Sequence, residues 1–286
     1  MQITPEQISH YRQQTYHMNP GSRLAGPKDA VQFVNERGFV YLWPIKGIQL
    51  PSLWTAVAGD RPVADEHDDP GHITWGWKDD LLDKRVWYYA RILKNRNTFI
   101  SYDLIPYFYA LSPNYGDPEA DFQEQYQQGQ MTLETKLVFE ALLKDGPLDT
   151  ISLRKASHQT SKNANSSFAR ALDTLQNQLK VLPVAVSNAG RWGYAFVYDL
   201  THRYYPDLIE KSRPISESSA RQKLVSTYLK SVGAATGKEM ARLFQWTPEL
   251  TQRTLNALLA QQELFQAEPL PNEKDPLFYS KFLKTL

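Results

Sequence analysis

The feature that most constrains this chain is a change of hydrophobic period within one stretch, 132–198. Leu133, Leu137, Val138, Ala141 and Leu142 recur at helical spacing after Thr132, which suits an N-cap, and Gly146-Pro147 stops the run. A second, shorter helix is expected over Leu148–Ala156. A third is expected over Asn165–Leu179, where Phe168, Ala171, Leu172, Leu175 and Leu179 repeat the pattern. The period then drops to that of strands. Val181–Val186 and Trp192–Tyr198 flank the turn residues Asn188-Ala189-Gly190. Three helices followed by a β-hairpin is the order of a winged helix-turn-helix, a unit that meets either nucleic acid or another protein.

The same order returns more faintly at the C-terminus. Helices are expected over Ser216–Ser231, Gly237–Phe244 and Pro248–Gln261, with Leu264–Ala267 as the stub of a wing. At the N-terminus, Thr4 caps a helix running to Tyr16, and a second helix covers Lys28–Arg37 and stops at Gly38. The strand-like run Phe39–Trp43 follows, then a short helix over Ser52–Ala58. The stretch 59–76 reads as a loop, 79–95 as a helix, and Leu104–Leu111 as a short helix. The fold class is therefore α+β, mainly helical with short hairpins, and three tandem winged helices are expected. The units are an aromatic-rich domain over 1–115, a connection over 116–131, a central winged helix over 132–208 and a C-terminal one over 209–286.

Composition narrows the chemistry. The chain has no cysteine, which excludes disulfide staples, thiolate zinc sites, iron–sulfur clusters and a thiol nucleophile. Nor is there a Gly-rich phosphate loop or a nucleophile elbow. No apolar run approaches the ~18 residues of a membrane span, and residues 1–16 do not form a signal peptide, so a cytoplasmic protein is expected. The net charge of +1 is a sum of unlike regions. Eight acids and two bases lie between Asp60 and Asp83, whereas six bases face Asp173 alone between Ser152 and Arg191. Charge of that kind suits a polyanion, and equally suits solvated helix faces. Aromatic residues make up 12% of the chain, and ten lie between Trp75 and Tyr109, as a core or as the lining of a cleft.

These patterns resemble the tandem winged-helix proteins of the AlkZ/YcaQ type, bacterial DNA glycosylases that unhook interstrand crosslinks. The resemblance rests on the run from Ala30 to Val40, the short strand after it, Leu50-Pro51-Ser52-Leu53-Trp54, and the winged helices behind them. It implies three winged helices forming a concave surface for duplex DNA, with no cofactor. It also implies a catalytic Gln, an apolar residue, then Gln or Asp on the short strand, which act on the attacking water. Here those positions are Tyr41-Leu42-Trp43. A phenol with a pKa near ~10 is a poor base at neutral pH, and an indole only donates. Gln49 does not restore the motif, because its i+2 partner is Pro51.

Other candidates come from the residues themselves. His67-Asp68-Asp69-Pro70-Gly71-His72 fits a capped turn, the polar wall of a cleft or a divalent metal site. Asp68, Asp69 and His72 are thus the candidate replacements for the missing catalytic pair, and Trp75, Trp77 and Lys78 the candidate cleft lining. Lys162, Asn165, Ser166, Ser167 and Arg170 lie at the start of the third helix of the central unit, where phosphates and base edges are met. Arg191 and Trp192 lie at the tip of its wing. Duplex DNA is the expected partner. The alternatives are an active glycosylase and a scaffold whose winged helices never meet DNA.

Overall fold

A computed structural model describes residues 3–114, 116–190, 193–271 and 273–284. The first helix, α1 (Pro5–Thr15), is fixed by its sequence: Thr4 and Gln7 form a reciprocal capping box and Pro5 occupies the first turn. Its inner residues Ile8 and Tyr11 do not pack on the elements that follow it in sequence. They meet the C-terminal part of the chain.

From Pro27 onward one topology occurs three times. The first unit comprises α2 (Pro27–Arg37), β1 (Phe39–Tyr41), α3 (Leu53–Ala58), α4 (Ile73–Asp80), β2 (Trp87–Arg91) and β3 (Asn97–Ser101). Two short helices connect it onward, α5 (Ile105–Tyr109) and α6 (Pro118–Gln127). The second unit comprises α7 (Leu133–Asp145), β4 (Leu148–Asp149), α8 (Thr150–Ala156), α9 (Asn165–Asn177), β5 (Val181–Ser187) and β6 (Ala195–Leu200). After α10 (Thr201–Tyr204) and α11 (Leu208–Ser212), the third comprises α12 (Glu217–Val232), β7 (Ala234–Thr236), α13 (Gly237–Phe244), α14 (Pro248–Ala260), β8 (Leu264–Ala267) and β9 (Leu277–Ser280). Each unit runs helix, strand, helix, helix, strand, strand. Each closes a three-stranded antiparallel sheet in the order first, third, second. The molecule is mainly helical with small antiparallel sheets.

Local chemistry explains several elements and corrects others. Gly38 ends α2 at φ +79°, a backbone that favours glycine. The expected loop 59–76 contains α4, which Trp75, Gly76 and Trp77 made hard to read because none is a strong helix former. The expected helix 79–95 instead ends with α4 and gives way to β2. Trp87, Tyr88 and Tyr89 have strand preferences, and Lys94 and Asn95 turn the hairpin at positive φ. Leu148 and Asp149 pair with Tyr198 and Val197 in β4 instead of starting a helix. Between β5 and β6 the register shifts at Pro183, which has no N–H to give the ladder.

Unit 2 has its own core, centred on Val138, Leu142, Leu153, Leu172, Leu175 and Leu200. Unit 1 buries Phe33, Val34, Leu42, Leu53, Trp77 and Phe99. A larger core joins the units: Phe39, Tyr41, Tyr88 and Phe108 pack with Leu224, Val225, Tyr228 and Phe244 of unit 3, and with Leu179 and Leu182 of unit 2. Each such side chain contributes ~1.5–3 kcal/mol when fully buried, so the shared core holds the units together. No helix among the described residues is long and apolar enough to cross a membrane.

Candidate functional site

The chain leaves β1 at Tyr41 and the next residues diverge. Leu42 donates its amide to Asn97 O at 3.0 Å and accepts from the Trp54 amide at 3.0 Å. Strand alternation is lost there, so Tyr41 and Trp43 do not share a face. Tyr41 is buried in the core between units and donates its hydroxyl to Leu93 O at 3.2 Å. Burial raises its phenol above the ordinary value, so it stays protonated and is no base at neutral pH. Trp43 goes the other way. It walls a cavity of about 490 Å³ together with Pro44, Ile45, Lys46, Arg91, Asn95, Arg96 and Asn97. Three cations and two amides face this space, and no carboxylate is among its described lining residues. A flat ring beside a positive wall is the composition that holds a base and its phosphate.

Trp43 continues into an aromatic stack. Its ring lies 5.5 Å from Trp75, and Trp75 lies 6.1 Å from Tyr194, which precedes β6 of unit 2. Of the three expected cleft residues, Trp75 is half-buried in this stack, whereas Trp77 and Lys78 are corrected. Trp77 belongs to the core of unit 1. Lys78 is wholly buried in a cage of Trp75, Tyr89, Tyr194 and Phe196, with its ammonium 4.4 Å from the Phe196 centroid. It bonds Asp79, and donates to Tyr194 Oη at 3.1 Å. Tyr194 donates to Asp79 at 3.0 Å. Burial lowers the Lys78 pKa, opposed by its bond to Asp79. The i, i+3 spacing puts Trp75 and Lys78 on one side of α4, and this lysine joins α4 to Tyr194 and Phe196 of unit 2.

The loop 67–72 is largely spent on its own structure. Asp69 takes both Arg61 amines, at 2.9 and 2.6 Å, and its Oδ1 also accepts the Gly71 amide at 2.7 Å. The Arg61 hydrogen bonds and the Gly71 amide hold its carboxyl below the ordinary range. His72 bonds Ala64 O at 2.9 Å and packs on Trp54, 5.1 Å between centroids. Asp68 is exposed. Among the described residues no group of three or more His, Cys, Asp or Glu could hold a metal ion. Of the three, none lines the cavity walled by Trp43.

It is the C-terminal half of α9, not its start, that meets the residues lining the cavity. Asn165, Ser166 and Arg170 are exposed, and Ser167 donates to Ala164 O at 3.1 Å. Arg170, Asp173 and Asn177 share one face at i, i+3, i+7. Asn177 donates to Ile92 O at 2.7 Å, and Asp173 accepts from Arg91 and Asn95. That face therefore abuts the β2–β3 turn, with Arg170 one turn beyond the contact. The side chain of Lys162, and Arg191 and Trp192, lie outside the described residues. Sequence reading missed Lys46, Arg91, Asn95, Arg96 and Asn97, because a helix over 79–95 leaves no hairpin to bring Arg91 and Asn95 beside the other three. Strand-forming Trp87–Tyr89 followed by Asn95 was the signal for the hairpin that gathers them.

A larger cavity of about 640 Å³ lies between α1 and unit 3 and contains Gln49, but none of the predicted site residues.

No curated protein matches the sequence. Among solved structures, the DNA glycosylase AlkZ of Streptomyces sahachiroi matches with a TM-score of 0.62 and 12% identity, over 100% of this chain and 72% of that one. At this identity the likeness is one of fold. The sequence itself matches the model of the AlkZ-related family over residues 24–245, and the chain belongs to that family.

Proposed function

We propose that the three units are tandem winged helices that bind duplex DNA, and that the Trp43 cavity receives a displaced or damaged nucleotide. The observation that carries this reading is the cavity's composition: Trp43 at the family-motif position, with Lys46, Arg91 and Arg96 around it and no described carboxylate in its lining. Stacking on an indole is worth ~1–3 kcal/mol per base. Three cations supply the phosphate attraction that such a nucleotide needs. The fold likeness to a DNA glycosylase and the family membership support the same partner.

The chemistry differs from the binding. Excision needs a group that positions or deprotonates water. Tyr41 is buried and donates to a carbonyl, Trp43 has no acceptor, Asp69 is held by Arg61, His72 bonds Ala64 O and meets Trp43 only edge-on at 6.4 Å, and the exposed Asp68 does not line the cavity. The protein accordingly recognises the lesion without cutting the glycosidic bond.

The test is titration of fluorescent duplexes, fully paired or with one bulged or alkylated base, at two salt concentrations. Affinity falls with salt, and Trp43→Ala weakens the bulged duplex about tenfold more than the paired one. No abasic product forms on alkylated or crosslinked DNA. Lack of binding at low salt, or a salt slope near zero, sinks the DNA reading and favours a scaffold. Abasic product that disappears in Asp68→Asn restores the glycosylase.

A further inference from the structure

At the edge of the cavity, one side chain of unit 2 already fills a position made for an anion. Asp173 is the sole acid between Ser152 and Arg191. Its carboxylate accepts from Arg91 Nη1 through both oxygens, each at 3.1 Å, and from Asn95 Nδ2 at 3.1 Å. The backbone that carries the two donors is held in place. The Arg91 amide donates to Gln176 Oε1 at 3.2 Å, and Asn95 sits in the hairpin turn at positive φ. Both donors also line the cavity. The Arg91 and Asp173 side chains are 47% and 24% exposed, so solvent, and a ligand, can reach the pair.

A guanidinium and an amide converging on two oxygens is a recognition pattern that carboxylate and phosphate share. We propose that Arg91 and Asn95 form a phosphate site, and that Asp173 occupies it as an internal substitute until a phosphodiester displaces it. The proposal rests on the DNA reading of the cavity, and adds which phosphate contact is held in reserve. Asp173 thus sets the affinity of the cleft. It cancels one of the three cations in the resting protein, and a phosphate must outcompete it. Such an exchange disfavours weak backbone contacts and spares a strand that the cavity also holds by stacking.

Charge removal at fixed shape is the test. Asp173→Asn keeps the size of the side chain and removes its charge. Duplex affinity rises about fivefold, and the log–log salt slope steepens by about 0.9, the value of one added phosphate contact. Arg91→Ala weakens duplex binding in both backgrounds, and several-fold more in Asp173→Asn than in the native chain. Asn177→Ala serves as the control, because it removes the neighbouring bond between units and no charge; its affinity stays at the native value. A second probe needs no DNA. Inorganic pyrophosphate raises the Tm of Asp173→Asn at concentrations that leave the native chain unmoved.

Native affinity and slope in Asp173→Asn, or an equal rise in Asn177→Ala, overturns the proposal and leaves the DNA reading standing. Should neither chain bind duplex at low salt, the DNA reading fails by itself. Pyrophosphate then decides the phosphate site: protection of Asp173→Asn alone supports it, and protection of neither or both chains overturns it.

Discussion

Buried amines show at the residue scale how this chain joins its parts. Lys78 and Lys180 are both buried, yet neither is isolated. Lys78 sits among four aromatic rings, and Lys180 donates to Asn114 Oδ1 at 2.6 Å across the connection between units 1 and 2. Burial brings the Lys180 pKa down to about 8, opposed by the negative charge of Asp121. The unfolded chain keeps the ordinary value of 10.5. Between those values the unfolded state binds more protons than the folded one, so stability attributable to Lys180 rises as pH climbs from about 8 to 10.5. The charged form is the costly one at neutral pH. Denaturant unfolding of the native chain and Lys180→Met at pH 7.5 and pH 10 measures this. The native chain gains ~1–3 kcal/mol relative to Lys180→Met over that interval. Parallel pH profiles for the two chains would show that Lys180 does not titrate there.

Caps decide more at the scale of the element than propensity does. Thr236 closes β7 and caps α13: Glu239 gives its amide to Thr236 Oγ1 at 3.2 Å, and its carboxylate takes the Thr236 amide at 2.7 Å. Thr236→Ala leaves the Glu239 amide short of its acceptor and costs ~1–2 kcal/mol in thermal or denaturant unfolding, whereas Thr236→Ser loses less than half of that. Equal losses in the two variants would place the cost in β7 packing. This cap, like those at Thr4, Ser52, Thr132, Ser216 and Thr247, is legible in the sequence, because a hydroxyl before an amphipathic run has one economical use. So were the helices of units 2 and 3 and the first hairpin strand at Val181. What hid were the short strands: β4 has two residues, β3 follows a tight turn, and β9 pairs with β7 across two helices and a strand. Strand pairing depends on distant partners, so a short run carries little local signal. The candidate site was lost with them. Its Trp43 was visible as a departure from the family motif, but Arg91 and Arg96 reach that tryptophan only because β2 and β3 form a hairpin.

The aromatic excess finds its explanation in the whole molecule. Tyrosines carry hydrogen bonds between units at the ends of apolar rings. Tyr11 donates to Lys230 O at 2.7 Å, Tyr204 to Leu82 O at 2.7 Å and Tyr205 to Trp87 O at 2.6 Å, while Tyr88 pairs with Thr201 at 3.0 Å. A ring buries apolar area while its hydroxyl meets a backbone carbonyl that burial would otherwise strand. The first helix extends the same principle, since Arg12 donates to Val232 O and Ala234 O, both at 3.0 Å, and Thr15 to Ser231 O at 2.7 Å.

Units 1 and 3 approach each other closely at Gly38. A Cβ there would stand 2.5 Å from Thr227 Cγ2 of α12 and 3.0 Å from Leu104, on a backbone at φ +79°. Gly38→Ala therefore carries two costs, the left-handed backbone at ~1–2 kcal/mol and the collision with α12. The double variant Gly38→Ala/Thr227→Ser removes the colliding methyl and leaves the backbone cost. Stability falls by more than 2 kcal/mol in the single variant, and the double variant recovers the collision part only. Five of the seven tryptophans lie between 43 and 87, so indole fluorescence follows unit 1 while far-UV circular dichroism follows all three units. Because Phe39 and Tyr41 share a core with Tyr228 and Phe244, the two signals change together in the native chain. In Gly38→Ala they separate, fluorescence changing first, and in the double variant they rejoin. Failure of Thr227→Ser to restore any stability would mean that α12 yields to the added methyl, and that the junction of units 1 and 3 is looser than its shared core requires.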